Sequence, residues 1–360
     1  MTTGMKKFTK VCLYTALVMF IIGVIMCGVG WLFGGFRQLN NMDIRGITGI
    51  PFAYRVFSNG DYDYGFFSDD DAEWQRAYGN WNRIDDYLGG IGDIEAPALD
   101  LTVSAIQDLY IEMGGTLYIK ESKDEYVRLA IDGDADKFRY HIDGGNLSIV
   151  RRPDWRRWKT DHWYTDDKVY LYLPEGTTFR RIHIEFGAGR IESIGLRTEE
   201  ADIEIGAGEG IFGSLTAADE AVLSIGAGRI ELGNLVCDTA NIDVGAGELS
   251  IEEAIISADT DIDLGMGSLV IDGFLTKNLD VDCSMGTVSL KLLDSEQDHN
   301  YDIDCAMGTV NMGGRSYSGL ADEVTIDNGS ESDFDIDCSM GTVNITFAGY
   351  AKLNMNQSRG

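Results

Sequence analysis

The stretch IEFGAG (184–189) sets the frame for the chain, because the same pattern returns as IEIGAG, LSIGAG, IDVGAG, IDLGMG, VDCSMG, IDCAMG and IDCSMG. The final glycines are Gly189, Gly208, Gly228, Gly247, Gly267, Gly286, Gly308 and Gly341. The first six are 19 or 20 residues apart, the next step is 22 and the last is 33. A fixed period near twenty is the mark of a stacked repeat.

Within each copy apolar and polar residues alternate, which is the period of a strand. Ile184, Ile203, Leu223, Ile242, Ile262, Val281, Ile303 and Ile336 make one apolar column, and Phe186, Ile205, Ile225, Val244, Leu264, Cys283, Cys305 and Cys338 a second. The residues between them point the other way. After each glycine a second strand begins, with Ile191, Ile230, Leu249, Leu269, Val288, Val310 and Val343 inward and Gly210 interrupting that column. The glycine supplies the corner, where a sharp turn calls for φ > 0. Twenty residues suit two or three short strands in a ring, and rings stacked ~4.8 Å apart give parallel sheets along an axis.

The expected fold is therefore all-β, a single-stranded parallel β-helix over 101–346. We expect it to be right-handed, since the hexapeptide repeat of the left-handed type is missing. The middle corner residue changes from Ala188, Ala207, Ala227 and Ala246 to Met266, Met285, Met307 and Met340 as its neighbour shrinks to cysteine. Conserved volume predicts that both positions face the interior.

The net charge is −30, and residues 185–345 hold 33 acidic against 6 basic side chains. Such a field repels nucleic acid and favours cations and basic partners. On the outward faces Asp243, Asp263, Asp282, Asp304 and Asp337 stack, beside a parallel column of Asp261, Asp280, Asp302 and Asp335. Like charges ~5 Å apart cost on the order of 1 kcal/mol per pair even in water. A calcium ladder on the first column would relieve that cost, as would solvation; the GGxGxD nonapeptide of calcium-binding solenoids is absent. Cys283, Cys305 and Cys338 read as buried thiols, without the His or CxxC spacing of a metal site.

Residues 1–10 carry Lys6, Lys7 and Lys10 and no acid, and residues 11–33 are uncharged. At ~1.5 Å per residue that run spans a bilayer, and the lysines predict a cytoplasmic N-terminus with the rest outside. Residues 34–100 form a spacer. Within it Trp74, Tyr78, Trp81, Ile84 and Leu88 share one face of an expected helix over 71–88, either a cap on the solenoid or an interfacial helix. Residues 347–360 are a polar tail.

The loop RRPDWRRWKTDHW (151–163) departs from the acidic background. Arg151, Arg152, Trp155, Arg156, Arg157, Trp158 and Lys159 are candidates to grip an anionic lipid, wall polymer or sugar; the alternative is a loop folded onto acidic coils. Insertions at 291–302 and 313–334 are expected to form partner-facing loops.

Enzyme chemistry has little footing. The four histidines are far apart in sequence, no HExxH or Ser–His–Asp spacing occurs, and the glycine motifs precede strands where a nucleotide loop needs a helix. No cofactor is expected. A single apolar span, the strand end LYLP (171–174) and the coils that follow it resemble the bacterial DUF4097 family of candidate adhesins, over about 101–346. That resemblance implies a β-solenoid on the cell envelope without catalytic residues. The expected function is a non-catalytic interaction module meeting a wall polymer or envelope protein; the alternative is a polysaccharide-active lyase or hydrolase.

Overall fold

The computed structural model describes residues 82–83, 98–102, 104–123, 125–134, 137–151, 167–318 and 322–349. All lie within one compact unit, Tyr78–Gly360. The expected tail 1–10, the apolar run 11–33, most of 34–100 and residues 350–360 lie outside them. Among the described residues no helix is long and apolar enough to cross a membrane.

The described chain is almost wholly strand, wound into parallel coils. One coil serves for all: Asp259–Leu264, a corner at 265–267, then Ser268–Leu275. Its successor, Asn278–Cys283 and Thr287–Leu292, lies on it in register, with Ile262 against Val281, Leu264 against Cys283 and Leu269 against Val288. Both expected apolar columns are buried, Ile262 and Val281 at 0% exposure. Each such side chain contributes ~1.5–3 kcal/mol by leaving water. The second strand bends where two successive residues face outward, as at Glu252 and Glu253, so each ring has a third inward-facing segment.

The corners differ from expectation in two ways. Among the corner glycines only Gly189 has a positive φ, of 123°. The others are required for space: a Cβ on Gly267 would fall 2.3 Å from Gly247 O and 2.8 Å from Val244 Cγ1. Glycine is thus the inward member of the corner, and its neighbour points out. Met266, Met285, Met307 and Met340 are 52–64% exposed, so the inward Ala/Met column is wrong. The corner resets the phase of the alternation. Gly210 does belong to its inward column, paired with Ile191 and Ile230; Ile205 Cδ1 and Phe212 Cε2 occupy the space its Cβ would need.

The stacking order also departs from chain order. Asp333–Cys338 lies between Asn278–Cys283 and Asn300–Cys305, parallel to both. Thr342–Phe347 likewise separates Thr287–Leu292 from Thr309–Met312. The coil made last is inserted beneath the one made before it. At the other end Asn146–Arg151 and Lys168–Pro174 lie parallel to Asp108–Ser122, which itself pairs with Phe179–Ser193.

Both ends are closed by antiparallel strands. Asp322–Ile326 covers Asn300–Cys305 and Arg315–Tyr317 covers Thr309–Met312. Phe138–Asp143 covers Asn146–Arg151, and Tyr126–Asp132 covers Lys168–Pro174. These reversals blunt the open ladder that a parallel stack would offer to another chain. Asn82–Arg83 adds antiparallel to Phe138–Asp143. The helix expected over 71–88 therefore does not run through these two residues, and the rest of that stretch lies outside the described ones.

Candidate functional site

Every coil turns two outer faces to solvent on either side of the corner. On the first-strand face, register sets Asp261, Asp280, Asp335 and Asp302 in one column. Asp243, Asp263, Asp282, Asp337 and Asp304 make the next, and Glu323 stands opposite Asp304. The five calcium candidates thus form a continuous ladder, with Asp337 ahead of Asp304. Partial burial within the stack, and then the Asp261 and Asp335 charges, push Asp280 up to about 6. Asp263, Asp335 and Asp337 are raised for the same reason, burial first and neighbouring aspartates second. Among the described residues no three His, Cys, Asp or Glu side chains are grouped to hold one metal ion.

The edge of this face is relieved differently. Asn278 Nδ2 donates to Asp259 Oδ1 (2.7 Å), the Asp333 backbone N–H donates to Asn278 Oδ1 (3.2 Å), and Asn300 Nδ2 donates to Asp333 Oδ1 (2.9 Å). Acid and amide alternate there only because the last coil is inserted. In the earlier coils the same face is compensated: Tyr110 stacks on His183 at 5.1 Å, His183 Nδ1 lies 3.0 Å from Asp202 Oδ2, and Arg181 pairs with Glu200 at 2.9 Å.

The face beyond the corner carries no such excess. Arg190, Glu209, Arg229 and Glu248 alternate up one column, followed by Ser268, Thr287, Thr342 and Thr309. Arg190 and Arg229 also reach Glu192 and Glu231, each at 2.6 Å.

The insertions 291–302 and 313–334 meet at the capped end, where they and 345–349 line a cleft of about 760 Å³. Arg315 forms an ion pair with Glu296 at its wall. Beside it the fold assembles three residues that the sequence keeps apart. His299 Nε2 donates to Asp294 Oδ2 (2.9 Å), and its Nδ1 lies 2.6 Å from Ser332 Oγ. No Ser–His–Asp spacing marks the sequence, yet the fold brings these three residue types together. All three are buried, however, and the Ser332 hydroxyl donates to Lys277 O, away from the imidazole. Phe334 stacks on His299 at 4.0 Å. The cluster ties two insertions to a neighbouring turn.

Of the basic loop, only Arg151 is described; Arg152, Trp155, Arg156, Arg157, Trp158 and Lys159 lie outside. Arg151 sits over the Phe138 ring (5.8 Å) and 3.8 Å from the buried carboxylate of Asp167. Asp167 also accepts from the Asp134 N–H (3.0 Å) and Lys137 Nζ (3.3 Å), so these residues staple the base of the loop.

A family model described as Toastrack DUF4097 matches residues 106–332. The chain belongs to this family. Its match covers the coils as far as Thr309–Met312, the insertions up to Ser332 and Asp243, Asp263, Asp282 and Asp304 of the ladder, and ends before the inserted coil 333–347. A crystal structure of a candidate adhesin from Bacteroides fragilis is 14% identical, with a TM-score of 0.42 over 71% of this chain and 100% of its own. A candidate lipid-binding protein from Parabacteroides distasonis is 14% identical, with a TM-score of 0.35 over 74% of this chain and 98% of its own. A candidate cell-adhesion protein from Clostridium sporogenes is 13% identical, with a TM-score of 0.19 over 68% of this chain and 93% of its own. A search of curated proteins finds no match.

Proposed function

We propose that this Toastrack chain is a non-catalytic interaction module of the cell envelope. Residues 11–33 anchor it, its N-terminus is cytoplasmic, and its solenoid stands outside and engages an extended basic strip on an envelope protein. The observation that carries the reading is the contrast between two faces of the same coils. In the later coils one presents the uncharged Ser268, Thr287, Thr342 and Thr309, while the other repeats Asp261, Asp280, Asp335 and Asp302, with no lysine or arginine paired to them among the described residues. A regular line of like charge gains most from a partner that is extended and oppositely charged. Crosslinking a tagged full-length copy in its own cells tests the idea. Capture of a basic envelope protein that is lost when Asp261, Asp280, Asp335 and Asp302 become asparagine supports it. Unchanged capture by that variant overturns it. Protease added outside intact cells should destroy the solenoid; protection would reverse the topology.

The Ser332–His299–Asp294 cluster is the one observation favouring a hydrolase. Ser332→Ala should leave any glycan or ester turnover by the purified chain unchanged, and loss of a measured activity would restore that reading.

A further inference from the structure

Met266, Met285, Met340 and Met307 occupy the tip of the same corner in four adjacent coils. The backbone fixes their order: Met285 N donates to Gly265 O (2.8 Å), Met340 N to Ser284 O and Met307 N to Ser339 O (both 2.7 Å). Each step is one strand spacing, ~4.8 Å. The fold does not require them, since the same tip is Ala207, Ala227 and Ala246 in earlier coils. Single exposed apolar side chains are ordinary, but an unbroken row of four marks a surface that meets something.

The row also begins where the bare acid pairs begin. Asp263, Asp282, Asp337 and Asp304 stand three residues before the four methionines. A second copy would set acid column against acid column, and an apolar partner would strip water from the carboxylates without replacing it. A cation gains from that field, and thioether ligands select a soft one. Two sulfurs on opposite sides of a soft ion sit roughly 4.6 Å apart, taking ~2.3 Å for each metal–sulfur bond. That separation is close to the coil spacing, and the flexible methionine side chain closes the difference without backbone movement.

We propose that this methionine row is a binding site for a soft monovalent cation of the copper(I) class, held between thioethers of adjacent coils with the neighbouring carboxylates balancing its charge. The ion keeps its oxidation state and no bond in the protein is broken. The Cys283, Cys305 and Cys338 thiols lie on the inner side of the same corner, buried away from the entering ion.

The test uses the full chain carrying methyl-labelled methionine, titrated with silver(I) in chloride-free buffer as a redox-stable probe. Methyl resonances of the four residues should shift, and millimolar calcium should leave them still. Replacing all four by leucine keeps size and exposure, so the melting temperature should hold while affinity falls more than ~tenfold. Unmoved resonances, or equal silver affinity in the leucine variant, would overturn the site. Neither result touches the acid-face reading, which is measured by capture of a basic protein.

Discussion

The two outer faces of the solenoid share every coil, every corner and the same hydrogen-bonded ladder, yet they handle charge in opposite ways. Beyond the corner, Arg190, Glu209, Arg229 and Glu248 alternate, and the later coils turn to Ser268, Thr287 and Thr342. Before it, Asp261, Asp280, Asp335 and Asp302 repeat one charge. Both faces cover the same apolar columns, so the core does not dictate the difference. A stacked repeat makes any outward residue type into a column. The sequence can therefore write a neutral face or a charged one without altering the fold.

The sharpest way to break this comparison is at the corner that keeps the faces apart. A Cβ on Gly286 would meet Gly267 O at 2.4 Å and Leu264 Cδ2 at 2.5 Å. Gly286→Val should therefore cost about 3 kcal/mol or more, lowering Tm by roughly 8 °C in a melting experiment. Met285→Val, on the outside of the same corner, should change Tm by less than ~1 °C, and an equal loss would mean that the methionine is packed.

Titration separates the faces next. Asp280 is raised to about 6 from a usual value of 3.8, so the folded state holds the proton more tightly than the unfolded chain. The resulting stability is fully present below the unfolded pKa and is lost as pH rises through about 6. Tm should climb as pH falls from 8 to 5. Asp280→Asn should raise Tm at pH 8 by an amount corresponding to ~0.5–1 kcal/mol and flatten the pH slope; an unchanged slope would clear this column of repulsion.

Added salts give a smaller effect. With no described trio of carboxylates placed around one ion, calcium and magnesium at equal millimolar concentration should raise Tm alike, as a screening atmosphere does. A rise specific to calcium would show neighbouring coils converging on one ion. Smallest of all, Arg229→Ala on the paired face removes only exposed contacts and should cost less than ~0.5 kcal/mol by denaturant melting.

The core and the faces were legible because period two is written directly in the chain: Ile262 and Leu264 are inside, Asp261 and Asp263 outside. The corner was misread because alternation does not continue through a bend, and the residue that touches the previous coil there is the one lacking a side chain. The inserted coil escaped notice for another reason. Ile303 with Cys305 and Ile336 with Cys338 present the same two apolar columns, so either order packs equally well. A signal did exist, in the Asp259, Asn278, Asp333, Asn300 series, where only the inserted order alternates acid and amide. His299, Asp294 and Ser332 meet across two insertions, where no periodicity guides the eye.

The inserted coil also constrains the order in which this solenoid can be completed. From Phe179 onward the emerging chain can lay down turns one upon another as far as Leu292. Residues 300–312 can then pair only with their own antiparallel strands, 315–317 and 322–326, because the place next to 287–292 is reserved for 342–347. They reach the stack only when the later segment has been synthesised and slipped in ahead of them, across a separation of 55 residues where a regular turn spans 19. The final stretch acts as a keystone, so removing it would unseat a coil that precedes it in the chain.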